Sequence, residues 1–186
     1  MGLPVENLAI EDFIAWENAQ ETKNEFYRGE VFAMTGGRRV HGLVVGNLFA
    51  ALKQHVKGTP CRTFSESMKI QLGRDAIFCA DVFVTCDKTD LVTDMIFRHP
   101  TVVVEVLSPS TQAFDRSVKF AAYRQITELR EYLLVDPDTR QVEVFRRNAA
   151  GNFELFDQTG TAELVLDSIG LRLAMAEVFD GIEASA

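Results

Sequence analysis

The sequence predicts a mixed α/β domain of the α+β kind, in which a mixed β-sheet is covered on its faces by helices. Two apolar runs, Ala80-Asp81-Val82-Phe83-Val84-Thr85 and Thr101-Val102-Val103-Val104-Glu105-Val106-Leu107, are β-branched and aromatic and end in turn residues, as strands do. Between Val40 and Val56, Leu43, Val44, Leu48, Ala51, Leu52 and Val56 recur at helical spacing. The order of segments is a helix, several strands with one long helix inserted, then strand–helix–strand, which belongs to a sheet domain with flanking helices. With 186 residues and no repeat, linker or low-complexity tract, the expectation is a single domain spanning 1–186.

Each element has its own signal. Leu8, Phe13, Ile14 and Trp16 make an apolar stripe over residues 8–19. Glu25-Phe26-Tyr27, the Arg28-Gly29 turn and Glu30-Val31-Phe32-Ala33-Met34 read as a hairpin. Gly36-Gly37-Arg38-Arg39 breaks the pattern before the long helix, and Gly58 and Pro60 end that helix. Strands follow near 62–65, 68–72 and 79–85, the second alternating Met68, Ile70 and Leu72 with Lys69 and Gln71. Residues 86–99 are polar and read as a surface loop. The strand carrying Glu105 is uninterrupted by polar alternation, the pattern of a strand covered on both faces. A helix is expected from Gln112 to Ile126, then strands at 131–135 and 142–146. Short strand-like segments at 153–156 and 163–166 precede a last helix near 174–179.

Composition bounds the function. The apolar fraction is 47% and the charged fraction 25%, ordinary for a globular chain. No run is long and apolar enough to span a bilayer, and Met1 to Glu6 lack the basic and apolar regions of a secretory signal, so no membrane partner and a cytoplasmic location are expected. Cys61, Cys79 and Cys86 are odd in number without a C-x-x-C pair, and read as reduced core residues. The net charge of −8 opposes unselective nucleic-acid binding, which depends on neutralising phosphates. A DNA-acting protein of this composition needs local basic surface or a bound cation.

The chemistry lies in Asp81 and Glu105, two carboxylates set into apolar strands. A desolvated carboxylate requires a cation or several donors. Two on neighbouring strands supply the oxygen ligands a hard divalent ion takes, Mg²⁺ using one or two protein carboxylates beside waters and phosphate. A structural ion pair or a helix cap satisfies the same residues. Downstream, Asp115, Lys119 and Tyr123 share a helical face at i, i+4 and i+8. Lys119 there is either a surface partner of Asp115 or an ammonium turned back over the strand ends.

Four segments together resemble one family. They are Asp81-Val82-Phe83-Val84, Val103-Val104-Glu105-Val106-Leu107-Ser108-Pro109-Ser110-Thr111, Asp115-Arg116-Ser117-Val118-Lys119-Phe120-Ala121-Ala122-Tyr123 and Glu131-Tyr132-Leu133-Leu134-Val135-Asp136. With Tyr27-Arg28-Gly29-Glu30 they are similar to the Uma-two (Uma2) family of restriction-endonuclease-like proteins, a bacterial group within the PD-(D/E)XK nuclease superfamily. The resemblance runs from about Phe13 to Phe179. It implies a restriction-endonuclease-like core and a Mg²⁺- or Mn²⁺-dependent endonuclease hydrolysing DNA phosphodiesters. By position, Asp81 and Glu105 match the metal ligands and Glu30 an upstream acid of the metal shell. Leu107 stands where the simple motif has Lys; the resemblance implies that Lys119, displaced to the next helix, stabilises charge in its place. Lys69 is a second candidate.

For DNA contact, Arg38, Arg39 and His41 lie where Gly36-Gly37 meets a helix start, a setting that suits a phosphate or is simply a solvated helix end. Arg146-Arg147 is a weaker candidate. Cutting both strands takes two sites, so a homodimer is compatible. The competing reading is a nuclease fold without catalysis, serving as a DNA- or protein-binding module; Leu107 and the acidic charge favour it.

Overall fold

The protein, described from a computed structural model, is defined over residues 8–34, 36–65 and 68–182. The residues read for a secretory signal lie outside that set. In chain order the elements are α1 (Ile10–Glu17), β1 (Asn24–Tyr27), β2 (Glu30–Ala33), α2 (Arg39–His55), β3 (Arg62–Ser65), β4 (Lys69–Leu72), β5 (Ala76–Phe78), β6 (Val82–Thr85), β7 (Ile96–Phe97) and β8 (Pro100–Val106). A helical crossover follows, built of α3 (Gln112–Phe114), a π-helical turn (Asp115–Lys119) and α4 (Phe120–Tyr123). Then come β9 (Glu131–Val135), β10 (Val142–Arg147), β11 (Phe153–Asp157), β12 (Glu163–Leu166), β13 (Leu171–Ala174) and α5 (Met175–Val178).

The strands form a six-stranded sheet in the order β11-β10-β9-β8-β6-β3, a five-stranded sheet β2-β1-β5-β4-β7 and a ribbon β12-β13. Only the β8–β9 pair of the larger sheet is parallel, which is why a helical crossover must connect those two strands. Along β8 the pleat sorts the side chains. Val102, Val104 and Val106 join Val82, Val84 and the Val44-Leu48-Leu52 stripe of α2 in one core. Val103 and Leu107 face the other way, into a core with Phe83, Ile70, Phe78, Tyr123 and Tyr132. Each fully buried Val or Leu contributes roughly 1.5–3 kcal/mol. Glu105 shares the Val103 face and is thereby driven between the two sheets.

The expected mixed architecture is present, with four local differences. The strand read at 79–85 is β6 alone, and a separate β5 precedes it. The 86–99 loop contains β7, which pairs in parallel with β4. β13 is an additional strand, pairing with β12 to place Leu171 and Leu173 in the core. The helix expected from Gln112 carries a π-helical turn and stops at Tyr123.

The cysteine reading is corrected. Arg62 lies opposite Thr85 in the β3–β6 ladder, so the residues just outside the pair, Cys61 and Cys86, face each other and form a disulfide with a Cα–Cα distance of 4.0 Å. Spacing along the chain cannot reveal this, because the pairing arises from strand register. Two of the three cysteines are therefore oxidised, not reduced core residues. Cys79 is the free, buried cysteine among the described residues. Burial, reinforced by Glu25, pushes its thiol up to about 12. Native, unreduced protein treated with iodoacetamide is therefore expected to gain no label. Unfolding without reductant should expose one reactive thiol, and unfolding with reductant three; mass spectrometry of the three samples checks the pairing.

Candidate functional site

One step beyond the Val82–Val104 pair of the β6–β8 ladder, Asp81 comes opposite Glu105. Asp81 Oδ2 accepts the Val106 N–H at 2.7 Å and lies 3.3 Å from His41 Nε2, at the first turn of α2. A Cβ on residue 37 would stand 3.1 Å from His41 Nδ1, so glycine at Gly37 leaves the imidazole its place above Asp81.

Lys119 is 6% exposed, and its Nζ sits 3.0 Å from Glu25 Oε1, 3.3 Å from Glu105 Oε1 and 3.5 Å from Asp115 Oδ1. The π-helical turn brings Asp115 and Lys119 to the same inner side of the crossover, where both are buried. Tyr132 anchors that turn by donating from its hydroxyl to the Asp115 carbonyl at 2.9 Å. Glu25, on β1, also accepts the Cys79 N–H at 2.9 Å and so joins the smaller sheet to the cluster. Asp81, Glu105, Asp115, Glu25, Lys119 and His41 thus come from both sheets, the crossover and α2.

Charge in this space is unevenly balanced. Desolvation holds the Glu105 carboxyl well above the ordinary range; Lys119 opposes that shift, while Asp115, Asp81 and Glu25 add to it. Asp115 is raised for the same leading reason. Burial acts to lower the Lys119 pKa, yet the fields of Glu105, Glu25 and Asp115 prevail and raise it well above its usual value, so the ammonium persists. Tyr123 and Tyr132 are held well above their usual range by burial and by Glu105, and stay neutral. Three carboxyl groups share one ammonium, Asp81 is paired with His41 instead, and the Tyr123 hydroxyl is buried without a hydrogen-bond partner. This is an acid-rich oxygen-donor set, the chemistry a divalent cation fits.

The other sequence candidates are placed differently. Glu30 is exposed on β2, and the hairpin acid that reaches Lys119 is Glu25. Both lie in the hairpin, but only the register shows which one points inward. Lys69 pairs with Glu17 at 2.7 Å. Arg38 makes a two-pronged contact with Asp138, its nitrogens 2.6 and 2.9 Å from the carboxylate oxygens, which partly neutralises it as a phosphate contact. Arg39 is exposed at the start of α2. Arg146 is held by Glu131 and Asp167, and Arg147 donates to the carbonyls of Arg124, Ile126, Leu129 and Gly151.

The polar 86–99 loop contains a grouping that the sequence reading missed. Asp87, Asp90 and His99 bring ligand-type atoms within 4.8 Å of one another. Asp90 accepts the N–H groups of Arg98 and His99 and the Thr85 hydroxyl, and Asp87 accepts the Thr89 N–H. Those bonds close the loop. The spacing of two acids and a distant His carries little signal before the loop is folded.

Comparison gives the family: residues 10–176 match the Uma2 model, described as "Putative restriction endonuclease", and the chain belongs to that family. It is 33% identical over 180 residues to "Uncharacterized protein slr1290" of Synechocystis sp. (strain ATCC 27184 / PCC 6803 / Kazusa), covering 96% of this chain and 95% of that protein. A second Synechocystis protein, sll1609, is 28% identical over 143 residues, covering 75% of this chain and 81% of that one. The fold matches the crystal structure of "a putative nuclease belonging to DUF820" from Anabaena variabilis ATCC 29413, with a TM-score of 0.76, 20% identity, and coverage of 93% of this chain and 98% of that chain.

Two stability effects follow from the charge balance. A carboxyl whose folded pKa is raised favours the fold at acid pH and loses that contribution as pH rises through the folded value. Metal-free Glu105→Gln is therefore expected to be more stable than wild type by about 1–2 kcal/mol at pH 8, with the gap narrowing towards pH 5. Lys119→Met leaves buried carboxylates uncompensated and should lose about 3–5 kcal/mol at pH 8, and less at pH 5. Urea unfolding at the two pH values measures both.

Proposed function

We propose that this protein is a divalent-metal-dependent endonuclease acting on DNA phosphodiesters, carried on one domain spanning residues 1–186. The observation that carries the reading is the gathering of Glu105, Asp115 and Glu25 around one buried ammonium, with Asp81 opposite Glu105 on the neighbouring strand. Asp81 and Glu105 are the residues that would hold the ion, with Asp115 and Glu25 the further acids of the cluster. Mg²⁺ or Mn²⁺, when bound, supplies Lewis-acid polarisation of a phosphodiester oxygen and lowers the pKa of a water.

The chain's own groups do the rest. The Val106 N–H and His41 act on one oxygen of Asp81, fixing the plane of its carboxylate. Lys119 is held charged by three acids and offsets negative charge developing at the attacked phosphate. Its crossover position performs the task for which Leu107, buried in the core, has no suitable group. Burial of the cluster limits bulk water, which strengthens each of these interactions. Exposed Arg39 and Arg38 at the start of α2 remain candidates for substrate contact. The family membership supports a nucleic-acid substrate, and a homodimer would present two such sites.

Calorimetric titration with Mn²⁺ tests the reading without knowledge of a target sequence. Asp87→Asn serves as the parent, so that the loop grouping does not contribute. The parent should bind the ion, and Glu105→Gln in the same background should weaken binding at least tenfold. Equal binding by the two proteins, or none by the parent at millimolar ion with DNA present, would reject it in favour of a non-catalytic module.

A further inference from the structure

A cavity of about 680 Å³, lined by none of the acid and lysine cluster's own residues, has a different chemical character. Its walls continue two of the elements that build the cluster. Tyr27 follows Glu25 by two residues on the same face of β1, and Ala122 lies one turn beyond Lys119 on the crossover. Two residues of strand span about 7 Å, close to the spacing of neighbouring phosphates along a nucleic-acid strand. The cavity and the cluster therefore share β1 and the crossover.

Two guanidinium groups line it. Arg98 donates from Nη2 to Gln71 Oε1 at 2.7 Å, while the Gln71 amide nitrogen donates to the Gly73 carbonyl at 2.9 Å. The amide is fixed at both ends, and Arg98 is braced by it. Arg28 lies with its Cζ 5.2 Å from the centroid of the Tyr27 ring. Its backbone is unusual: Arg28 has φ 49° and Gly29 φ 88°, a turn with both central residues left-handed. Asn, Asp or Gly ordinarily occupies the first of these positions, because other side chains meet steric resistance there. An arginine kept in that conformation and turned to a cavity points to a use for its side chain.

The cavity wall also holds two carboxylates, Asp75 and Glu128, and the apolar surface of Ile126. A cradle for a run of backbone phosphates would be uniformly cationic. Oriented guanidinium groups combined with acceptors and apolar floor are the set that takes one phosphate together with its base, whose edge carries both donors and acceptors. We infer that this cavity is a nucleotide subsite, holding a single nucleotide of the nucleic-acid substrate next to the position attacked at the Asp81–Glu105–Lys119 cluster, with Arg98 and Arg28 on its phosphate. The inference rests on the nuclease reading above.

The test uses the Glu105→Gln protein, expected to bind without cutting, and a fluorescein-labelled DNA 20-mer of random sequence, single- and double-stranded, followed by anisotropy. Arg98→Met is added to that background in one variant and Arg28→Gly in another, and each is checked by thermal unfolding. The expected result is DNA binding by the parent and about tenfold weaker binding by each variant, the loss expected from one charge-assisted contact. Arg28→Gly should also show an unchanged or higher melting temperature, since glycine relieves the turn. A turn residue with no ligand would give the stability effect without the binding loss. Parent-like binding by both variants overturns the subsite and leaves the nuclease reading standing. A parent that binds neither form of DNA overturns both.

Discussion

The position of one buried ammonium organises the centre of this molecule. Lys119 cannot remain charged between two sheets unless carboxylates meet it, and the carboxylates cannot remain there without it. Glu25 comes from the smaller sheet, Glu105 from the centre of the larger and Asp115 from the crossover, so three structural units are held to a common point. Removing the single cation of such a set leaves several buried carboxylates uncompensated, which costs far more than the set contributes as a whole. That asymmetry makes the geometry restrictive, and a restrictive geometry is what oriented chemistry at a phosphate requires.

A second buried acid shows what a purely structural arrangement looks like. Glu131 is fully buried on β9, and its oxygens meet Arg146, the N–H groups of Asp167 and Ser168, and the Ser168 hydroxyl. Its hydrogen-bonding capacity is filled by the chain itself, which ties the β9–β10 ladder to the turn before β13. Around Glu105 the balance differs: acids outnumber the cation, and desolvation and neighbouring carboxylates hold its pKa well up. Both residues are Glu in apolar strands, and only the company each keeps separates support from chemistry.

The β8–crossover–β9 unit gives the centre its shape. A parallel pair demands a connection that leaves one end of the sheet and returns to the other, and this one returns through the helical segment bearing Asp115 and Lys119. The π-helical turn adjusts the rotation of that segment so that both residues face inward. The same segment continues to Ala122, at the wall of the neighbouring cavity, so one short element borders both the acid cluster and the arginine-lined space.

The sequence by itself determined the class of fold and marked the carboxylates set into apolar strands. Contiguous Val102 to Val106 requires a strand covered on both faces, Leu48 and Leu52 require a buried helix stripe, and Asp81 and Glu105 stand out because apolar runs exclude charge unless it is compensated. What it could not decide was which distant groups supply the compensation. Glu25 rather than Glu30 reaches Lys119, Lys69 belongs to Glu17, and Cys61 bonds Cys86, each through a register or facing that no local pattern encodes. Periodicity assigns a residue to a face of its own element. Only the packing of elements decides what that face meets, because a strand shifted by one residue presents the opposite set of side chains.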